Sequence, residues 1–164
     1  MNLHELQVIE EKRLKTLLDY RILDTSPERE FDSITRLASY LCKTPFAVIT
    51  FLDDQRQWVK SSFGLELAQS QLHEAFCSYT IQGDQVFQVM DSLLDSRFSD
   101  NPLVHNPPYI RFYAGAPLFS PDGFRIGAIC VLDTEPGELT QEQEDALKVL
   151  AVEVISHLEM RKKN

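Results

Sequence analysis

Hydrophobic positions along the chain change period in blocks, and the blocks mark out its elements. From residue 2 to about residue 20, Leu3, Leu6, Ile9, Leu14, Leu17 and Leu18 recur every few positions among charged residues, which predicts an amphipathic helix. A second helical pattern, Phe31, Ile34, Leu37, Ala38 and Leu41, runs to about Cys42, where Lys43-Thr44-Pro45 ends it. Its start is signalled either by Thr25 with Glu28 as a capping box or by Ser26 capping with Pro27 at the first helical position. The period then shortens. Phe46 to Leu52 is almost continuous hydrophobe, a strand with both sides covered, and Asp53 to Arg56 is a hairpin turn. Gln57 to Phe63 returns antiparallel, with Trp58, Lys60 and Ser62 expected on one face.

Gly64 to Leu72 reads as a loop, Glu74 to Ile81 as a short helix stopped by Gly83-Asp84, and Gln85 to Met90 as a brief strand. A polar excursion follows, turn-rich from Asp95 to Pro102 and irregular through Pro107-Pro108; such segments laid over a sheet often carry function. Arg111 to Leu118 and Gly127 to Asp133 then form a central hairpin about Ser120-Pro121-Asp122-Gly123. By strand parity Phe112, Ala114, Ala116 and Leu118 make a core face, while Arg111, Tyr113, Gly115 and Pro117 share the other. A glycine there marks either a close approach of ligand or backbone, making this face a pocket floor, or a simple bulge beside a strand-end charge. Thr140 to Gln143 is a further capping box. It opens a helix in which Leu147, Ala151, Val154 and Leu158 form a seam and Val149, Leu150, Val152 and Ile155 widen it. That surface suits either a partner helix or one broad core-facing stripe. The order of elements is an α+β pattern around an antiparallel sheet.

Composition narrows the class. A length of 164 residues fits one domain. Cys42, Cys77 and Cys130 are odd in number, far apart and set in apolar surroundings, as reduced buried thiols would be. His4, His73, His105 and His157 are equally scattered, which argues against a structural zinc. A net charge of -9 with no basic stripe argues against nucleic acid, and there is neither a signal-peptide core nor a run of membrane-spanning length. The expectation is a soluble, cytoplasmic protein.

Ile22-Leu23-Asp24-Thr25, Phe31-Asp32, Arg56-Gln57-Trp58, Ala75-Phe76-Cys77, Arg97-Phe98, Asp100-Asn101-Pro102, Ile110 to Leu118, Gly127 and Cys130-Val131-Leu132-Asp133 closely resemble the GAF domain family. The subgroup they most resemble stands in front of bacterial histidine kinases and diguanylate cyclases, and the likeness extends from about residue 10 to 160. The resemblance implies a single GAF domain over residues 1–164, with a helix at about 2–20, a core at about 27–134 and a connector helix at about 140–163. It implies a six-stranded antiparallel sheet with the terminal helices on one face and a roof over a small-molecule pocket on the other. It further implies a homodimer through the terminal helices and control of a signalling output domain.

Carried over position by position, the resemblance implies a ligand site of Trp58, Lys60, Phe76, Cys77, Tyr79, Asp91, Phe98, Asn101, Arg111 and Tyr113. Aromatics with a few polar groups suit a planar heteroaromatic ligand. Within the family that points to cAMP or cGMP, the purine stacking on Phe76, Phe98 or Trp58 and either Arg111 or backbone N–H groups at the start of a roof helix facing the phosphate; no cofactor is required. The N-K-F-D-E signature of phosphodiesterase GAF domains is absent. Competing readings are a free methionine sulfoxide reductase using Cys77 and Cys130, a bilin on Cys77, a haem on His73 or His105, and a dimerisation module without ligand.

Overall fold

A computed structural model describes residues 1–67, the backbone of 69–71, and residues 75–162. Helix α1 (Leu3–Asp19) opens with a reciprocal cap, in which Asn2 Oδ1 accepts from the Glu5 amide and the Glu5 carboxylate accepts from the Asn2 amide. Helix α2 (Arg29–Cys42) ends at Lys43 in the left-handed conformation, just before Pro45. Its start departs from expectation. Glu28 holds the N-cap position without a side-chain cap, and neither Thr25 nor Ser26 takes that role. Thr25 Oγ1 instead donates to Ile22 O at 2.6 Å and accepts from Lys60 Nζ at 2.8 Å, while the Glu28 carboxylate pairs with Lys60 at 2.5 Å and Arg161 at 2.7 Å. A buried ammonium needs a counter-charge more than a helix-end amide needs an acceptor.

The sheet has six antiparallel strands in the order β3-β2-β1-β6-β5-β4: β1 (Phe46–Leu52), β2 (Arg56–Phe63), β3 (Gln69–Gln71), β4 (Phe87–Val89), β5 (Phe112–Phe119) and β6 (Arg125–Asp133). Strand β3 lies where a loop was expected, pairing Gln71, Ser70 and Gln69 with Arg56, Gln57 and Trp58. The β5–β6 turn closes as its residues dictate: the Gly123 amide donates to Ser120 O at 2.8 Å, with Gly123 at a φ of +87°.

Helices α1, α2 and α5 (Gln141–Lys162) cover one face of the sheet. Their core takes Phe112, Ala114, Ala116 and Leu118 from β5, the parity set read from the sequence, and Leu147, Ala151, Val154 and Leu158 from α5. The α5 seam is therefore filled by the chain's own core, leaving Val149 and Val152 outside. Thr140 and Gln143 form the expected capping box.

The expected grouping of Trp58, Lys60 and Ser62 fails at a β-bulge. Val59 pairs with Thr50 and Ser61 with Ile49, so Lys60 is the extra residue and parity inverts beyond it. Trp58, Lys60 and Ser61 all serve the helix face, where Trp58 joins the core and Ser61 Oγ donates to Asp32 at 2.6 Å; Ser62 pairs with Val48.

The opposite face is roofed by short pieces: α3 (Cys77–Thr80), a 3-10 turn at Ser92–Leu94 and α4 (Pro102–His105). Glu74, the expected start of the first piece, lies outside the described residues, as do Leu72 and His73. Among the described residues no helix is long and apolar enough to cross a membrane.

Candidate functional site

The roof brings together five of the anticipated residues: Phe76, Cys77, Tyr79, Phe98 and Tyr113. The Phe76 ring lies between Phe98, at 4.4 Å and 4° from parallel, and Tyr113, at 5.1 Å and 20°. Tyr79 meets Phe98 edge-on at 5.0 Å, and Phe87 of β4 closes the group at 6.0 Å from Tyr79. The strand ladder explains the convergence, because Phe87 pairs with Gly115 and Val89 with Tyr113, so β4 and β5 present alternate residues to the same roof.

Gly115 has a specific task here. A Cβ at that position would lie 2.3 Å from Tyr113 Oη and 2.9 Å from Thr80 Oγ1. The phenol lies across the bare backbone and reaches α3, where Thr80 Oγ1 is 2.7 Å away and Cys77 Sγ, which accepts its proton, is 3.1 Å away. The close approach inferred from the glycine is thus made by the chain's own tyrosine.

Three other anticipated residues build the roof's frame. Asp91 Oδ1 accepts from the Leu93 amide at 3.1 Å and caps the 3-10 turn; Asn101 Oδ1 accepts from the Leu103 amide at 2.9 Å and caps α4 ahead of Pro102. Arg111 Nη1 donates to Val104 O at 3.0 Å and Ile110 O at 3.2 Å, tying α4 to the start of β5. Trp58 and Lys60 are not in this site, since Trp58 pairs with Phe51 on the helix side of β1 and Lys60, two residues on, reaches the same far side of the sheet. Lys60 Nζ spends its three protons there on Thr25 Oγ1, Ser26 O at 2.6 Å and Glu28. Burial pushes the Glu28 carboxyl up, but Lys60 and then Arg161 outweigh it and hold the group below the usual carboxylate range.

Arg97, absent from the anticipated set, sits over three of these rings: its guanidinium carbon is 5.4 Å from Tyr79, 5.0 Å from Phe87 and 5.3 Å from Phe98. It is gripped by Asp95 through Nε at 2.9 Å and Nη2 at 2.6 Å, which holds the Asp95 carboxyl below its ordinary range. With its side chain 44% exposed, Arg97 is a cation that a ligand can reach. The available signal was its place beside Phe98 and two residues after an acid.

A family model for the GAF domain matches residues 26–158. The chain belongs to the GAF domain family. Over 126 residues, 77% of its length, this GAF domain is 43% identical to a cyclic di-GMP phosphodiesterase of Pseudomonas aeruginosa, and it spans 22% of that relative. Among solved structures, the GAF domain of an Acinetobacter phosphoenolpyruvate-protein phosphotransferase superposes with a TM-score of 0.64 at 17% identity, covering 93% of this chain and 94% of the other. A type II free methionine-R-sulfoxide reductase of Thermoplasma acidophilum superposes at 0.66 with 12% identity, covering 93% and 96%. At such identities these two share a fold with the present GAF domain.

Space under the roof is small. Phe76, Cys77, Tyr113, Cys130, Val48 and Leu132 border a cavity of about 20 Å³, against about 670 Å³ for an open groove on the helix side at Trp58, Lys60 and Asp32. The larger space has the weaker chemistry, because its cation is already saturated. His105, a candidate haem ligand, is 57% exposed and faces Asp100 at 3.4 Å. Among the described residues no cluster of His, Cys, Asp and Glu is arranged to hold a metal ion.

Proposed function

We propose that this GAF domain is a non-catalytic sensor that takes a planar heteroaromatic ligand, with cAMP or cGMP as the first candidates, between the roof and β5. The carrying observation is the Phe98–Phe76–Tyr113 stack. Its planes are spaced for aromatic partners, and its outer member rides on the excursion rather than on the sheet. A purine enters by replacing Phe98 against Phe76, and Arg97 turns from Asp95 to the phosphate, the assignment first given to Arg111. The likeness to a fifth of a cyclic di-GMP phosphodiesterase supports a place in a longer protein whose output domain makes or degrades a cyclic dinucleotide.

Calorimetric titration of the chain with cAMP and cGMP tests this. Saturable binding of one nucleotide, abolished by Phe76→Ala and weakened about tenfold or more by Arg97→Ala, is the expected result. The loss of one charge-assisted contact sets that magnitude. Absence of heat and of any thermal shift with either nucleotide overturns the cyclic-nucleotide assignment.

The 20 Å³ cavity favours a second reading, in which the roof stays packed and the domain only dimerises. Leu3, Leu6 and Leu18 on α1 and Val149, Val152 and Met160 on α5 supply apolar surface for it. A dimer by sedimentation, unchanged by nucleotide, distinguishes it from the sensor.

A further inference from the structure

Two thiols meet beneath the roof without being bonded. Cys77 Sγ and Cys130 Sγ are 4.0 Å apart, both residues nearly fully buried, and the third cysteine, Cys42, belongs to the core on the other face of the sheet. We propose that Cys77 and Cys130 form a hydroperoxide-sensitive dithiol that closes to an intramolecular disulfide and staples α3 to β6.

The two cysteines are held differently. Cys130 sits mid-strand, laddered to Val48 on β1 and Gly115 on β5, so its position is fixed from both sides. Cys77 begins a four-residue helix. A disulfide needs the sulfurs about 2.05 Å apart, and the remaining approach of about 2 Å falls on Cys77. Both cysteines line the cavity of about 20 Å³, which is room for roughly one water and matches the reacting end of a hydroperoxide.

Polar groups around the pair divide the labour. The Tyr113 hydroxyl donates to Cys77 Sγ at 3.1 Å while Thr80 supports the phenol at 2.7 Å. The contact with Cys130, then the Thr50 and Tyr113 hydroxyls, offset burial and hold Cys77 below an ordinary thiol, whereas Cys77 and burial push Cys130 up. Cys77 is therefore the attacking member. Its sulfur takes the distal peroxide oxygen as the O–O bond breaks, and its proton leaves with the departing alkoxide or hydroxide as alcohol or water. Cys130 sulfur then attacks the sulfenyl sulfur; the S–O bond breaks, the S–S bond forms, and the Cys130 proton leaves with hydroxide as water. Two thiols are oxidised and one peroxide is reduced. The proposal is independent of which ligand the roof accepts.

Peroxide treatment of the folded chain, followed by thiol counting in denaturant and peptide mapping, tests it. Thiols should fall from three to one per chain, with a linked peptide containing Cys77 and Cys130 and full recovery on reduction. Cys42→Ser should still form the link. Cys130→Ser should accumulate a sulfenic acid at Cys77 that a dimedone probe traps. Should that variant not fold, the wild-type map decides alone. Three titratable thiols after treatment, a link to Cys42, or sulfinic acid at Cys77 with Cys130 intact would each overturn the proposal.

Discussion

The two faces of the sheet are covered by different kinds of structure. On one, α2 and α5, of 14 and 22 residues, lay long apolar stripes on the strands. On the other, α3 and α4 are four residues each, and the aromatic side chains do the packing. The long helices carry their own backbone hydrogen bonds through several turns. The roof pieces are too short for that; the 3-10 turn and α4 depend on side-chain caps at Asp91 and Asn101, and α3 has none. A protein that must stay folded while one surface rearranges is served by this division, since local opening draws on segments with the fewest internal bonds.

The comparison breaks if matched deletions cost the same on both faces. Phe31 and Phe98 are each 1% exposed. Phe31→Ala should cost about 3–5 kcal/mol in denaturant unfolding, because helices and sheet cannot close the hole. Phe98→Ala should cost about 1–3 kcal/mol, as a short excursion relaxes into the space. Equal losses would mean that the roof is as rigid as the helix face.

How much of this was legible followed from periodicity. Helices α1, α2 and α5 and strands β1, β5 and β6 carry repeating apolar positions, and their extents come from those repeats. Strand β3 has none. Its residues Gln69, Ser70 and Gln71 are strand because β2 offers them an edge, a tertiary cause that leaves no local trace. The bulge at Lys60 is equally silent, and it moved Ser62 off the face it was expected to share with Trp58 and Lys60; those two left the anticipated site because Trp58 pairs with Phe51 on the helix side of β1. Parity did put Tyr113 and Gly115 on one face. Asp91 and Asn101 were assigned to a ligand although their own sequence, an Asx residue ahead of a short turn and another ahead of Pro102, is capping chemistry.

The helix face is anchored by a buried ammonium, Lys60, on the Glu28 carboxylate, and acid should find it. Glu28→Ala leaves the Lys60 ammonium buried without its carboxylate and releases Arg161. A loss of about 2–3 kcal/mol is expected, below the full cost for a buried pair because Glu28 is partly exposed and Thr25 and Ser26 remain as acceptors. The folded-state carboxyl titrates below its unfolded value, so its contribution is complete above about pH 4.3 and disappears as pH falls through the folded value. Wild type should therefore lose stability below about pH 4.3 more steeply than Glu28→Gln. Parallel pH profiles would mean that Glu28 contributes no net charge interaction.

The smallest effect probes how the roof is held to the sheet. Gly115→Ala places a methyl group 2.3 Å from Tyr113 Oη and 2.8 Å from its Cζ, so the phenol must leave Thr80 and Cys77. The cost should be about 1–3 kcal/mol, with faster amide exchange confined to residues 77–81. Tyr113→Phe alone should cost about 1 kcal/mol for the lost hydrogen bonds. In the double variant the hydroxyl that meets the new methyl is already gone, while the ring carbon still crowds it. The combined loss should fall short of the sum by about 0.5 kcal/mol or more, the sign of two residues sharing one contact. Strict additivity would mean that the phenol does not require the glycine. Exchange that also quickens in α2 would mean that the two faces open together, and the contrast between them would be lost.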